Sequence, residues 1–295
     1  MPSATIRVPG TTANLGPGFD TLGIAVKLFN RVCVTPAGKS GVRITSAIAD
    51  DARAGAEQML GEAAALFFKR TKTTKFGFQI SLTGDVPIAR GLGSSVTARL
   101  GAVAALNELA GTKLDRQGLV ELVTELEGHP DNAAPAIFGG FTAAGMVADS
   151  VRVVRCPVPS KLKFITLIPR FEVSTAKARK LVPQSFSKAD TVHNLNRSSL
   201  ISAAFALGDY ESLRGCFDDR VHQPYREQLI PQLSAVIRAG EKAGAIGGWL
   251  SGSGSTIMCL TLEKPEAVAS AMQRQLKDSD VHILTADNGG VMVVR

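Results

Sequence analysis

The chain of 295 residues is 45% hydrophobic and 20% charged, the balance of a globular protein with room for two domains. No apolar run is long enough to cross a membrane and Met1 to Gly10 has no apolar signal core, so a cytoplasmic location and no membrane partner are expected. The net charge of +7 suits an acidic partner, yet the basic residues are dispersed, and two Tyr and one Trp make no platform for single strands, so a small anionic ligand is expected rather than nucleic acid.

The four cysteines, Cys33, Cys156, Cys216 and Cys259, form no Cys-x-x-Cys pair and read as scattered core thiols. The four histidines show no metal-ligand spacing.

Taken in order, Ala4 to Val8 alternates as a strand. Pro9 to Asp20 follows, where prolines and glycines forbid regular structure over most of the stretch and Thr11, Thr12, Asn14 and Asp20 offer hydrogen bonds. Leu22 to Thr35 reads as one or two strands and Val42 to Ser46 as another. Ala54 to Lys69 carries one apolar stripe, Met59, Leu60, Ala63, Leu66 and Phe67, and is expected to be helical. Phe76 to Thr83 is a half-buried strand. Next comes Pro87-Ile-Ala-Arg-Gly-Leu-Gly-Ser-Ser-Val-Thr97, ahead of a helix expected over Ala98 to Leu109. A glycine-rich loop entering a helix presents free N–H groups and a positive dipole end, which favour phosphate. An ordinary capped helix after a turn would read the same way at this point. Arg99, just inside the helix, faces either a phosphate or solvent.

Arg116 to Glu127 is a helix stopped by Gly128, followed by His129-Pro-Asp-Asn132. Strands are expected at Phe141 to Val147 and Val151 to Cys156, a linker at Pro157-Val-Pro159, and a strand at Leu162 to Ile168. Helices are expected at Ser174 to Leu181, Ser198 to Leu207, Glu211 to Phe217, and from Asp219-Arg-Val-His-Gln-Pro-Tyr-Arg226 through Lys242. Ser251-Gly-Ser-Gly-Ser255 is a further glycine cluster. A strand from Thr256 to Leu262, a helix from Pro265 to Leu276, and strands at Val281 to Thr285 and Gly290 to Val294 close the chain.

Three glycine-rich polar loops thus stand at residues 9–20, 87–97 and 251–255. Their order and content resemble the GHMP kinases, whose phosphate loop reads Pro-x-x-x-Gly-Leu-Gly-Ser-Ser, as Pro87 to Ser95 does. Within that family the homoserine branch is the most similar. Thr-x-Ala-Asn-Leu-Gly-Pro-Gly-Phe-Asp in the first loop, Glu127-Gly-His-Pro-Asp-Asn132, Ser174-Thr-Ala-x-Ala-Arg179 and Pro224-Tyr-Arg226 carry that likeness. Val96-Thr97 stands where Ala-Ala is usual, Ser255 where proline is common, and Glu127 only two residues before His129.

The resemblance implies an α+β, two-domain GHMP kinase fold. A ribosomal S5 domain 2-like N-terminal domain (1–157) would carry the phosphate loop, and a ferredoxin-like C-terminal domain (158–295) would close the site. It implies phosphorylation of L-homoserine by ATP with Mg²⁺, a step toward threonine, and leaves a homodimer open. Asn14, Asp20, His129 and Asn132 would hold the amino and hydroxyl ends of homoserine, and Arg179 and Arg226 its carboxylate. Pro87, Arg90, Gly91, Leu92, Gly93, Ser94 and Ser95 would hold the ATP phosphates, Ser95 and Glu127 the magnesium ion. Thr175 would contact the transferred phosphoryl group, with Asp20, His129 and Asn132 also at the reaction centre. Ser251, Gly252 and Gly254 would support the site. Because an amide takes no proton at neutral pH, Asn132 implies catalysis without a dedicated protein base, Asp131 being the residual candidate. Two other readings stand beside this one: a GHMP kinase for a sugar or isoprenoid alcohol, and a catalytically silent small-molecule binder. The arginine pair argues against the first, since an uncharged alcohol needs no such pair.

Overall fold

The computed structural model describes residues 2–38 and 40–294. Met1, Lys39 and Arg295, which the expected spans 1–157 and 158–295 include, lie outside them. The strands are β1 (Ala4–Ala13), β2 (Leu22–Pro36), β3 (Val42–Ile44), β4 (Phe78–Gly84), β5 (Phe141–Val147), β6 (Ser150–Cys156), β7 (Lys163–Pro169), β8 (Gly247–Leu250), β9 (Ile257–Thr261), β10 (Ser279–Leu284) and β11 (Met292–Val294). The helices are α1 (Asp50–Thr71), α2 (Ser94–Leu109), α3 (Arg116–Glu127), α4 (Ala133–Phe138), α5 (Thr175–Lys180), α6 (Lys188–Leu207), α7 (Gln223–Arg226), α8 (Leu233–Lys242) and α9 (Pro265–Gln275). No described helix is long and apolar enough to cross a membrane.

Two sheets organise the chain. The first runs β11-β1-β2-β4-β3, with β5 also on β2 and β6 on β5. The 15-residue β2 makes this possible: its first part pairs β5 and its second part pairs β4, while β1 runs beside both. The second sheet is antiparallel in the order β10-β7-β9-β8. With helices between β7 and β8 and between β9 and β10, it has the ferredoxin-like order. The last strand, β11, pairs antiparallel with β1. The stretch 158–295 is therefore not self-contained, because its end belongs to the first sheet.

Apolar packing arranges these layers. Ile6, Val32 and Ile80 of the first sheet pack with Leu60 and Phe67 of α1, Leu100 of α2 and Val123 of α3. Between the sheets, Ile24, Val26 and Phe141 meet Phe205, Trp249 and Met258. The outer face of the second sheet packs on α8 and α9 through Ile165, Leu167, Val236 and Met272. Trp249 is fully buried, stacks on Phe217 at 4.8 Å, and donates from Nε1 to Thr12 Oγ1 at 2.9 Å. That bond ties the second sheet to the first loop.

Several expectations need correction. β1 continues to Ala13, so the first loop is regular for its opening residues. A register shift at Pro9/Gly10 accommodates the proline, which cannot donate to a ladder. Helix α2 begins at Ser94 rather than Ala98, with Gly93 in the left-handed region before it. Both serines therefore sit in the first helical turn, held there by burial of Val96 and Thr97. Helix α6 starts at Lys188, ten residues before the expected Ser198; Ser187 caps it by accepting from the Asp190 N–H. Glu211 to Phe217 forms only a 3-10 turn at Glu211–Leu213, and Gly215 follows in the left-handed region. The helix expected from Asp219 through Lys242 is interrupted: α7 and a 3-10 turn at Glu227–Leu229 precede α8. Pro231 explains the break, since its ring leaves no N–H and crowds the preceding turn.

Candidate active site

All three glycine loops meet at one cavity of about 440 Å³. Asn14, Asp20, Gly91, Gly93, Ser94, Ser95, Glu127, His129, Asn132, Thr175, Arg179, Arg226 and Gly252 of the expected residues line it.

One end is the start of α2. Gly91 and Gly93 have φ of 76° and 70°. A Cβ on Gly91 would lie 2.1 Å from the Ser251 carbonyl oxygen, and one on Gly93 would lie 2.2 Å from Thr11 Oγ1. Glycine is thus required twice over, by backbone sign and by space. The third loop presses on the second: Ser251 Oγ donates to the Gly91 carbonyl at 2.6 Å, and the Thr256 N–H donates to that of Arg90 at 3.1 Å. Ser251 is buried behind the wall, and a Cβ on Gly254 would meet Ile230 at 2.5 Å, so these two residues brace the loop from outside the cavity.

Pro87, Arg90 and Leu92 do not line the cavity. Leu92 is fully buried in the core between the sheets. The Arg90 guanidinium donates to the carbonyls of Pro169 and Arg170 at 3.0 and 2.7 Å and pairs with Glu172 at 3.1 Å. It clamps the loop to the end of β7.

Ser95 Oγ donates to Glu127 Oε2 at 3.1 Å, and Arg99 Nη1 donates to Glu127 Oε1 at 2.6 Å. Glu127 ends α3 because Gly128 turns the chain with φ 84°. The shorter spacer before His129 therefore does not keep Glu127 from Ser95.

At the other end stand two arginines. Arg226 is carried by α7, whose preceding turn is tied by Asp219: that carboxylate accepts from the N–H groups of Val221, His222 and Gln223. The Arg226 side chain is buried. It donates to the Gly252 carbonyl at 2.9 Å and to His222 Nδ1 at 3.3 Å. Burial, and then the charge of Arg179, lower its pKa to about 10. His222 is itself buried, its pKa lowered by burial, and its Nε2 donates to the Gly16 carbonyl at 2.8 Å. That assigns Nδ1 as the acceptor for Arg226. Phe19 stacks on His222 at 5.1 Å and lies 5.2 and 5.5 Å from the guanidiniums of Arg226 and Arg179. Arg179, on α5 behind the Ser174 cap, donates twice to Asp20, at 3.0 and 2.9 Å.

Between the two ends lie the polar groups of the middle segment. His129 Nδ1 bonds Asp131 Oδ1 at 2.5 Å, and Asn132 Nδ2 donates to the same oxygen at 3.2 Å. Thr11 Oγ1 donates to Asn132 Oδ1 at 2.7 Å, which locks the amide's orientation. Burial works against a charged His129, but the hydrogen bond and charge of Asp131, with Asp20 beyond, outweigh it and raise the pKa above 6.5. Asn14, at φ 72°, bridges two loops: Nδ2 donates to the Gly252 carbonyl and Oδ1 accepts from the Asp20 N–H, both at 3.0 Å. Thr175 Oγ1 lies 3.1 Å from Ser253 Oγ.

The sequence marks Thr11 only as a hydrogen-bonding group of the first loop, and Phe19, Ser253 and His222 carry no role in it. Phe19 and His222 lay beside assigned residues in the first loop and before Arg226, which was the available signal; their stacking is a long-range contact.

A magnesium ion needs hard oxygen donors and few protein ligands when phosphates complete its shell. The hydroxyl of Ser95 and the carboxylate of Glu127, adjacent to the helix start, fit that requirement. Donor atoms of Asp20, His129 and Asp131 also lie within 4.8 Å of one another. An imidazole suits magnesium less well, and there Asp20 is engaged by Arg179 and Asp131 by His129.

The family model described as the GHMP kinases N terminal domain matches residues 58–140, and that described as GHMP kinases C terminal matches residues 201–278. The homoserine kinase of Clostridium kluyveri is 34% identical, with 100% of both chains covered. That of Caldicellulosiruptor bescii is 37% identical over 98% of this chain and 96% of its own. The crystal structure of homoserine kinase from Cytophaga hutchinsonii superposes with a TM-score of 0.89 at 31% identity, over 99% of this chain and 97% of that one.

Proposed function

The chain belongs to the GHMP kinases, among their homoserine kinases, and we infer that it transfers the γ-phosphoryl group of ATP to the side-chain hydroxyl of L-homoserine. The observation that carries the substrate is Arg226. It is a buried guanidinium in a cavity wall, its hydrogen bonds go to carbonyls and a neutral imidazole, and none goes to a carboxylate among the described residues. A desolvated cation in such a place favours an anionic ligand group. The α-carboxylate of homoserine supplies it, with Arg179 as the second guanidinium. Asp20 then becomes the partner of the α-ammonium, and the substrate's hydroxyl extends toward Asn132 and the start of α2.

The nucleotide's phosphates suit the other end. Free N–H groups at the first turn of α2, the hydroxyls of Ser94 and Ser95, and the close approach that Gly91 and Gly93 allow support this placement. Ser95 and Glu127 would hold a magnesium ion, which neutralises phosphate charge when bound. Thr175, hydrogen-bonded to Ser253 in the cavity wall, would donate to the moving phosphoryl group.

The hydroxyl oxygen attacks the γ-phosphorus, its bond forms as the bond to the ADP oxygen breaks, and the hydroxyl proton passes by way of a phosphate oxygen to solvent. Phosphoryl transfer of this kind depends mainly on alignment and charge neutralisation. Asn132 is well fitted to align the nucleophile, because Thr11 and Asp131 hold both ends of its amide. Asp131 is buried and engaged with His129 and Asn132, which supports an orienting role and no dedicated base.

The test is ADP release with Mg²⁺·ATP and a panel of L-homoserine, L-serine, mevalonate and galactose. Turnover confined to L-homoserine is expected. Turnover with galactose, which has no carboxylate, would overturn the carboxylate site and keep the kinase; turnover with mevalonate, a carboxylate without an ammonium, would overturn the homoserine assignment and the ammonium role of Asp20. Silence on all acceptors, with ATP still bound, would leave a binding protein.

A further inference from the structure

The cation at the nucleotide end of the cavity has no part in the scheme above. Arg99 lies one helical turn after Ser95 on α2, so the two side chains share a face. Both reach Glu127, Ser95 to Oε2 and Arg99 to Oε1. Arg99 also donates to the Leu126 carbonyl at 3.1 Å. Arg99 and Glu127 are each largely buried, at 16% and 11% side-chain exposure, and both line the cavity with Ser94, Ser95 and Met59. The Arg99 Nε is buried and has no hydrogen-bond partner among the described residues.

We propose that Arg99 is a nucleotide-binding residue that masks the charge of Glu127, so that the cavity accepts a nucleoside triphosphate before any divalent cation is present. This rests on the reading that the triphosphate lies at the start of α2. A carboxylate at that point is well placed for a metal but repels bare phosphates, and the two demands conflict. The ion pair resolves the conflict. Without metal, Glu127 and Arg99 cancel, and the positive helix end decides the local potential. With Ser95 and Glu127 holding a divalent cation, the Arg99 guanidinium would be free to donate to phosphate, a contact for which arginine is suited. A simple tie between α2 and α3 would need neither a place in the cavity wall nor an unpaired Nε.

The experiment is equilibrium binding of ATP by calorimetry, in EDTA and in Mg²⁺, to the wild type, Arg99→Met, Arg99→Lys, Glu127→Gln and the Arg99→Met/Glu127→Gln double variant. Arg99→Met should lose at least about tenfold in affinity for metal-free ATP. Arg99→Lys should keep most of it. The double variant should recover most of what Arg99→Met loses, because the exposed carboxylate is gone. Glu127→Gln alone should bind metal-free ATP at least as tightly as the wild type and gain less from Mg²⁺. Arg99→Met binding metal-free ATP like the wild type overturns the proposal, as does a double variant as weak as Arg99→Met. Should Arg99→Met fail to fold, Glu127→Gln decides: weaker metal-free binding than the wild type overturns the proposal. A wild type that binds no ATP in either condition overturns the phosphate-site reading itself, whereas ATP binding indifferent to Arg99 overturns only the role given to Arg99.

Discussion

Arg179 donates two hydrogen bonds to Asp20 across 159 residues of sequence, joining α5 to the end of the first glycine loop. These are the groups assigned to opposite ends of a zwitterion. On the proposed reading, a zwitterionic substrate would exchange partners with the pair, its carboxylate replacing Asp20 and its ammonium replacing Arg179. The pair is partly exposed, at 44% and 31%, so it contributes little to stability, about 0–1 kcal/mol. Asp20→Asn should raise KM for homoserine at least about tenfold, the cost of losing a charged hydrogen-bond partner. KM for ATP and the Tm should barely change. A homoserine KM equal to the wild type's would remove Asp20 from the substrate site.

Arg226 differs from Arg179 in being buried. Truncating it removes a desolvated partner, a change that costs about 2–5 kcal/mol in binding. Arg226→Met should accordingly raise the homoserine Kd by about thirtyfold or more, and Arg226→Lys should recover only part. Homoserine titrations of the two variants check this; an Arg226→Met protein that folds and binds homoserine normally would refute the assignment.

The pH dependence of stability should carry the signature of His129. Its folded pKa is raised above 6.5, since the Asp131 bond and charge exceed the opposing effect of burial. The sign follows from linkage: the contribution is full below the unfolded value and is lost as pH rises through the folded one. The Tm difference between wild type and His129→Gln should be largest on the acid side of 6.5 and shrink above the folded pKa. A difference that grows with pH would contradict the assignment.

Asp131 separates orientation from proton abstraction. A general base contributes about 10²–10⁴ in rate. Asp131→Asn keeps a polar side chain beside His129 and Asn132, so kcat should fall by less than about 10². Single-turnover rates with both substrates bound measure this directly, and complete loss of transfer would make Asp131 the base.

Gly93 tests the phosphate loop without touching a charge. Alanine there meets Thr11 Oγ1 at 2.2 Å and must hold φ near 70°, which costs about 1–2 kcal/mol before any clash. Displacing Thr11 would also release the Asn132 amide. Gly93→Ala should lower both ATP affinity and kcat, and nucleotide titration beside steady-state rates would show it.

Much of the fold was legible in the sequence because strong local signals carry it. The apolar stripe of α1, the Gly128 stop of α3 and the alternation of β4 each state their element within a few residues. Where the sequence was misread, a competing local signal had been missed or a tertiary one prevailed. The Ser187 cap places the start of α6, and Pro231 interrupts the run before α8. The first turn of α2 is set by burial of Val96 and Thr97, which no local rule announces.

By itself the sequence determined which chemical groups the site could contain. The glycines with left-handed backbones, the two serines behind them and the arginine and aspartate types are properties of single positions and short motifs. Only the tertiary structure decided which of them meet. It turned Arg90 away to Glu172, brought Ser95 and Arg99 to Glu127, and set Phe19 against His222 and within 5.5 Å of both guanidiniums. The physical reason is that these contacts join elements far apart in the chain. They are selected by the packing of two sheets around a shared core, where burial leaves each polar side chain few partners, whereas local periodicity constrains only a residue's near neighbours.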